Sequence, residues 1–519
     1  MFMPLAIGIG IALITYILRA WPRVGLPDYG ADVFFHLALA DSIRKDRDRQ
    51  KITKYFSIGN YNDYPLLLHY LLAPIPKETL EKISGYISPL FDVFNAALLY
   101  WFAYWATRSP AAGVAVWLFY LASPQLSLES LTLTPRLLGI FFFNLWALSM
   151  AIGVYHASAA WAVASVAAGV ACFFTIRFQL LPMLAAGMLF WAATGRAMFL
   201  ELEAAAFAVS FCLHPRYFIN AFISYCVKTH DYARNWRFYG DENERLGGID
   251  KNAPGARKRR FGERLGKEIR MLFFFNPAAW LMAAAGFWLA KAGRGGSTGD
   301  IEKILWVWFL MSFAAFLLAE RFPQLGQRSG DGYRQFPMFG AFPGAFIAGA
   351  AFVESYHSAP VFFAFLAAGL AGSLVLTLRM DTKGYKEKLK STSSFIRPEL
   401  KAILERVRGY QWGCVMCLPS ANNYSMIYFG DKRVVEVVGR SRPDKKLFEA
   451  FIKNREVRLD ELLRMFDIDY FFIDTALPEW NQDTSAIGEI VEREGSFIFI
   501  RIFPSAKAPA DKAQTSHSG

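Results

Sequence analysis

Charge is scarce in this chain. Acidic and basic residues together occupy 19% of 519 positions, against about 25% in an average soluble protein. That shortage argues against a string of ordinary soluble domains. Cysteine is also sparse: Cys172, Cys212, Cys226, Cys414 and Cys417 are scattered, and no disulfide framework can be read from them. Cys414 and Cys417 form a C-x-x-C inside a strand-like run, QWGCVMCLP, with no second pair and no histidine nearby. The run therefore lacks the usual zinc or redox context, and buried thiols are expected. No nucleic-acid motif accompanies the net charge of +12. The excess lies in membrane-flanking loops, where basic residues meet anionic headgroups.

What the chain has in quantity is apolar sequence. The residues AVILMFWYC make up 54%, and phenylalanine alone occurs 48 times. The excess falls in blocks of about 17–22 residues before position 380. Such a block matches a hydrocarbon core of about 30 Å at 1.5 Å per helical residue. Most blocks are apolar all round, where a surface helix of a soluble protein would be amphipathic. Eleven spans are expected, near 2–20, 87–107, 110–128, 134–155, 158–175, 178–194, 197–213, 272–291, 303–320, 336–354 and 360–379. The first runs into Arg19-Ala20-Trp21-Pro22-Arg23 with no small-residue cleavage site, so it reads as a retained helix.

Orientation follows from short loops. With the N-terminus inside, the short inner turns hold Arg108, Arg196, Lys291, Arg294 and Lys303, and the outer ones Arg136 and Arg177. An odd span count places the long loops 21–86 and 214–271 outside, together with a soluble α/β domain over 380–505. The tail 506–519 is expected to be disordered. Within the first loop, DVFFHLALADSI has helical spacing and predicts an amphipathic helix lying on the membrane plane. In the last domain PELKAILERVR, KKLFEAFIKNR, LDELLRMF and AIGEIVERE read as helices. QWGCVMCLP, NYSMIYFG, RVVEVVG, IDYFFID and FIFIRIF read as strands.

The chemistry-bearing residues concentrate after the first span, where Asp28, Asp32 and His36 are spaced four apart. If helix begins near Asp28, all three share one face; either aspartate could instead cap the helix. An acidic pair and a histidine at a membrane boundary are costly to keep without a use. His69 follows Tyr64-Pro65 on an apolar stretch, where a packed histidine is the alternative. His214 and Arg216 stand where the seventh span exits, Glu201 and Glu203 where it begins, and both glutamates read as interfacial. The basic run 257–260 reads as a headgroup-binding patch.

The first span, then an acidic residue followed by Phe-Phe-His-Leu, then Tyr64-Pro-Leu-Leu-Leu-His-Tyr70, resembles the GT-C superfamily of membrane glycosyltransferases. Thr134-Pro135-Arg136-Leu-Leu-Gly139 is similar to a Pro-Arg turn of these enzymes, and Gly332-Tyr333-Arg334 to their phosphate-holding arginine loop. The run Ile468–Ile473 resembles part of their periplasmic domains. The resemblance implies a GT-C-like α-helical polytopic membrane protein with a C-terminal extracytoplasmic α/β domain, in a bacterial inner or plasma membrane. It implies a polyprenyl-phosphate sugar donor and an unidentified acceptor, with Asp32 as base and Asp28 and His36 as orienting groups. Donor-phosphate binding would fall to Arg334 with Tyr333, with Arg321 and Arg328 behind it and Arg136 as a further candidate. Apart from the resemblance, position alone makes His69 and His214 further substrate-binding candidates, His214 and Arg216 either reaching the outer cavity or only anchoring the helix. The WWDYG motif of oligosaccharyltransferase catalytic subunits is missing, and the first loop has no D-x-D. Both absences count against asparagine-linked glycan transfer and against an obligatory divalent metal, so the motifs allow magnesium or manganese without implying either. No nucleic acid is implied. The competing readings are a transporter or flippase of a polar lipid, which would be expected to show internal repeats, and a non-enzymatic polysaccharide-assembly protein.

Overall fold

A computed structural model describes residues 2–24, 31–46, 65–176, 180–219, 221–222, 266, 269–270, 272, 277–291, 299–321, 339–380, 396–418, 422–435, 463, 468–476, 485 and 488–503. The chain divides into two compact units. The first comprises 1–27, 64–68 and 84–387; the second comprises 28–63, 69–83 and 388–519.

The first unit is helical. It contains α1 (Phe2–Ala20), most of α4 (Lys77–Thr107), α5 (Pro110–Leu121), α6 (Pro124–Ser130) and α7 (Arg136–Tyr155). α8 (Ala159–Thr175), α9 (Leu180–Thr194), α10 (Met198–Leu213) and α11 (Pro277–Lys291) follow. α12 (Gly299–Arg321), α13 (Ala341–Ser358) and α14 (Pro360–Met380) complete it. Helix thus occupies each of the eleven apolar blocks, the third being shared between α5 and α6. By length and composition, three helices among the described residues can cross a membrane: Phe2–Ala20, Arg136–Tyr155 and Pro360–Arg379.

Their burial separates them by place. The apolar window of α7 is 83% buried, whereas those of α1 and α14 are 22% buried. α7 is therefore the unit's central helix, and α1 and α14 turn apolar side chains outward. Around α7, Phe143 packs edge-on against Trp308 and Phe339, with ring centroids at 5.7 and 5.2 Å. α5 starts because Ser109 caps it, accepting from the Ala112 N–H, with Pro110 already at a helical φ. Its neighbour α13 approaches so closely that a Cβ on Gly349 would stand 2.7 Å from the Val116 backbone. Small residues serve this purpose between membrane helices, where contact rather than dehydration drives packing.

Glu203 on α10 departs from its expected interfacial setting. It is 5% exposed, with its carboxylate over Gly187 of α9, whereas Glu201 is exposed.

The second unit holds a five-stranded sheet: β1 (Cys414–Leu418), β2 (Arg433–Val434), β3 (Tyr470–Asp474), β4 (Gly488–Glu494) and β5 (Phe497–Ile502). Their order is β2-β1-β3-β5-β4. β1 runs parallel to β2 and β3, and β5 runs antiparallel to β3 and β4. β1 and β3 are buried at every position, as continuous apolar runs in a covered sheet should be. Cys414 and Cys417 lie three apart on β1 and so point to opposite faces. Neither forms a disulfide and both are buried, and burial pushes the Cys417 thiol well up from its ordinary value.

Helix α15 (Pro398–Val407) covers the sheet with Leu400, Ile403, Leu404 and Val407. Two segments differ from expectation. NYSMIYFG forms the helix α16 (Asn423–Gly430), ended by Asp431 in the left-handed region at φ 49°. AIGEIVERE contributes strand β4 instead of a helix, because Gly495, at φ 55°, turns the chain so that this segment pairs with FIFIRI. KKLFEAFIKNR, most of LDELLRMF and the tail lie outside the described residues.

Candidate functional site

The second unit also contains α2 (Ala31–Asp46), the end of α3 (Leu67–Leu72) and the first residues of α4. α2 is the amphipathic helix expected from the sequence, but its apolar face does not lie on lipid. Val33, Phe34, Phe35, Leu37, Ala40 and Ile43 are buried. The Phe34 ring lies 5.2 Å from Phe429 and 6.1 Å from Tyr428, and Phe35 lies 5.3 Å from Tyr424, all on α16. Periodicity shows that one face must be covered; here protein covers it. Each aromatic ring fully withdrawn from water contributes about 1.5–3 kcal/mol.

Helix α2 is tied to the turn after α3 by one side chain. Arg44 donates from Nε to the Ala73 carbonyl at 3.0 Å and from Nη2 to the Ile75 carbonyl at 2.5 Å. Its Nη1 donates to Asp41 at 2.7 Å, and Lys45 reaches the other Asp41 oxygen at 2.7 Å. The guanidinium thus satisfies backbone acceptors at the end of a short helix, where intrahelical partners run out.

That clamp holds the two histidines of the first loop together. His36 on α2 and His69 on α3 are 3% and 0% exposed. Their Nδ1 and Nε2 atoms are 2.9 Å apart, and the rings are stacked with centroids at 5.1 Å. Phe35 closes over His36 edge-on at 5.3 Å. Asp32 belongs to the first turn of α2, one helical turn before His36, where a carboxylate is favoured by the helix dipole. Asp28 lies outside the described residues, as do Tyr333, Arg334, Arg328 and Arg177. Arg321 ends α12.

The remaining candidates belong to the first unit. Arg136 begins α7 and is paired with Glu129 at 2.8 Å. His214 ends α10, and its Nδ1 accepts from the Tyr217 N–H at 3.2 Å. Tyr217 in turn donates to the Phe173 carbonyl at 3.2 Å and is buried. His214 therefore has a capping task. Arg216 is exposed.

Sequence reasoning missed a buried ionic cluster in the first unit. Arg19, at the end of α1, donates from Nε to Asp92 of α4 at 2.6 Å, and both side chains are fully buried. Its Nη1 donates to Ser127, and Tyr120 donates to the second Asp92 oxygen at 2.5 Å. The available signal was an arginine and an aspartate inside apolar blocks, which calls for a partner. Among the described residues no group of three or more His, Cys, Asp or Glu side chains can hold a metal ion.

Comparison with protein-family profiles finds no match, and neither does comparison with curated proteins. Solved structures do match. The Archaeoglobus fulgidus oligosaccharyltransferase in its apo form matches with TM-score 0.56 at 11% identity, over 91% of this chain and 70% of that one. The same organism's AglB, in complex with an inhibitory peptide and a dolichol-phosphate, matches with TM-score 0.55 at 11% identity, over 90% and 69%. ArnT from Cupriavidus metallidurans bound to undecaprenyl phosphate matches with TM-score 0.53 at 13% identity, over 97% and 99%. Over 90–97% of its length the chain shares the fold of these three solved structures.

Proposed function

We propose that this protein is a membrane glycosyltransferase that moves a sugar from a polyprenyl-phosphate carrier to an acceptor at the extracytoplasmic face. The observation carrying this reading is the likeness over 97% of the chain, and 99% of its counterpart, to ArnT solved with undecaprenyl phosphate. The AglB structure, solved with dolichol-phosphate and a peptide, adds a second lipid-phosphate complex on the same fold. In this reading the eleven apolar blocks are all spans, and the sheet domain stands outside with the first loop. The spans then serve as a platform for the outer loops.

Asp32 is the base. It takes the proton of the acceptor hydroxyl while the acceptor oxygen bonds to the sugar's anomeric carbon. The bond from that carbon to the phosphate oxygen breaks, and its electron pair leaves on the lipid phosphate. Attack opposite the leaving group inverts the anomeric centre. Asp28 and His36 orient the acceptor or the base. Arg334, with Tyr333 beside it, meets the negative charge developing on the phosphate, a task suited to a planar, permanently charged fork. Arg136, whose Nη1 is paired with Glu129 at 2.8 Å, stands second to Arg334 for the phosphate.

The test is Asp32→Asn in native membranes supplied with radiolabelled polyprenyl-phosphate sugars. Loss of transfer by roughly 100-fold or more is expected for a missing general base. Full transfer by the variant would remove Asp32 from the mechanism.

A further inference from the structure

We propose that His36 and His69 form one proton-sharing unit, in which His69 is a positioning residue that sets the tautomer of His36. The pair itself stands on geometry: Nδ1 to Nε2 at 2.9 Å, rings stacked, both side chains withdrawn from water. Its use in transfer rests on the reading above.

A 2.9 Å gap between two ring nitrogens holds one hydrogen. With that hydrogen on His36 Nδ1, the His36 Nε2 is bare and accepts a proton. With it on His69 Nε2, the His36 Nε2 carries hydrogen and donates. The two rings therefore have linked tautomers, and the choice made at His69 appears at the far nitrogen of His36. One added proton is shared across the gap as a charge-assisted bond. A second would set two N–H groups against each other at 2.9 Å, so the unit takes one proton where two separate histidines would take two.

The titratable groups on the elements packed about the pair are few among the described residues. α2 carries Asp32 one turn before His36, Asp41, which is held by Arg44 and Lys45, and Asp46 at its last position. α16 presents Tyr424 and Tyr428, and the start of α4 presents Lys77, Glu78 and Glu81, the last bound by Tyr428. α3 carries no charged side chain besides His69 itself. In the transfer, the tautomer that His69 sets decides whether His36 Nε2 donates or accepts in the orienting task given to His36 above.

The experiment is ring-15N NMR on protein labelled at its seven histidines and held in lipid nanodiscs. The expected result is a 15N–15N coupling across one hydrogen bond, with the coupled pair gaining one proton between about pH 8 and 5. His69→Phe keeps the stacked ring but should abolish the coupling and let His36 titrate as a single ring. His69→Gln, which returns a side-chain hydrogen-bonding group, should recover part of the His36 shift. Unchanged resonances from the other five histidines report an intact fold. Absence of coupling in the unaltered protein, or full protonation of both rings over that range, overturns the proposal. If the coupling is present while Asp32→Asn transfers normally, the unit stands and the assignment of Asp32 falls.

Discussion

The Tyr428 hydroxyl donates to Oε1 of Glu81 at 2.6 Å, joining residues 347 apart in the sequence. The Lys77 ammonium lies 4.6 Å from the centre of the same ring, and Phe34 packs beside it. Helix α16 of the sheet domain is thus held to the start of α4 and to α2.

This bond makes the second unit sensitive to alkali. Burial raises the Tyr428 hydroxyl well above its ordinary value, and the hydrogen bond to Glu81 and that residue's charge raise it further. The folded state therefore keeps this proton more strongly than the unfolded chain. The resulting stability is fully present below the unfolded value near 10 and is lost as pH rises through the folded value. Thermal melts followed by circular dichroism should decline above about pH 10, and less steeply in Tyr428→Phe. At neutral pH the same variant should cost about 1.5–3 kcal/mol, the range for a hydrogen bond to a charged group. An unchanged alkaline limb would show that Tyr428 does not govern it.

The sheet domain should not be separable from the first loop. α16 turns Tyr424, Tyr428 and Phe429 toward Phe34 and Phe35 of α2, and a fragment spanning 396–503 would leave those rings uncovered. That fragment should bind hydrophobic dyes and self-associate, and a peptide covering 31–46 should reverse both effects. A monomeric, dye-silent fragment with fully protected α16 amides would contradict this.

The sequence made the α2 helix readable, because apolar residues recur there at helical spacing. What covers the helix was not readable: a periodic face is the same whether lipid or protein lies on it. NYSMIYFG suggested a strand because it is short, aromatic and apolar all round, and periodicity cannot separate a buried strand from a buried helix. AIGEIVERE suggested a helix because local spacing ignores a strand partner supplied by a turn at Gly495. Asp32 and His36, one turn apart, were legible as a constellation. The His36–His69 bond was not, since it joins residues 33 apart and depends on Arg44 holding a turn that no motif announces.

The Arg19–Asp92 pair allows the sharpest test of the first unit. Its members are 73 residues apart, both fully buried, and the carboxylate is also bound by Tyr120. Withdrawing two charges from water is expensive, and their mutual attraction roughly offsets that cost only while both are present. Arg19→Met alone leaves a buried carboxylate without its counterion, and Asp92→Leu alone leaves a buried guanidinium. Each should destabilise the protein by about 3–5 kcal/mol, seen as a lower midpoint of thermal unfolding in detergent. The double variant removes both charges and should recover most of that loss, because an apolar pair of similar volume is often neutral or better. Additive losses in the double variant would mean that the two side chains stabilise the unit separately, through Ser127 and Tyr120, and not through each other.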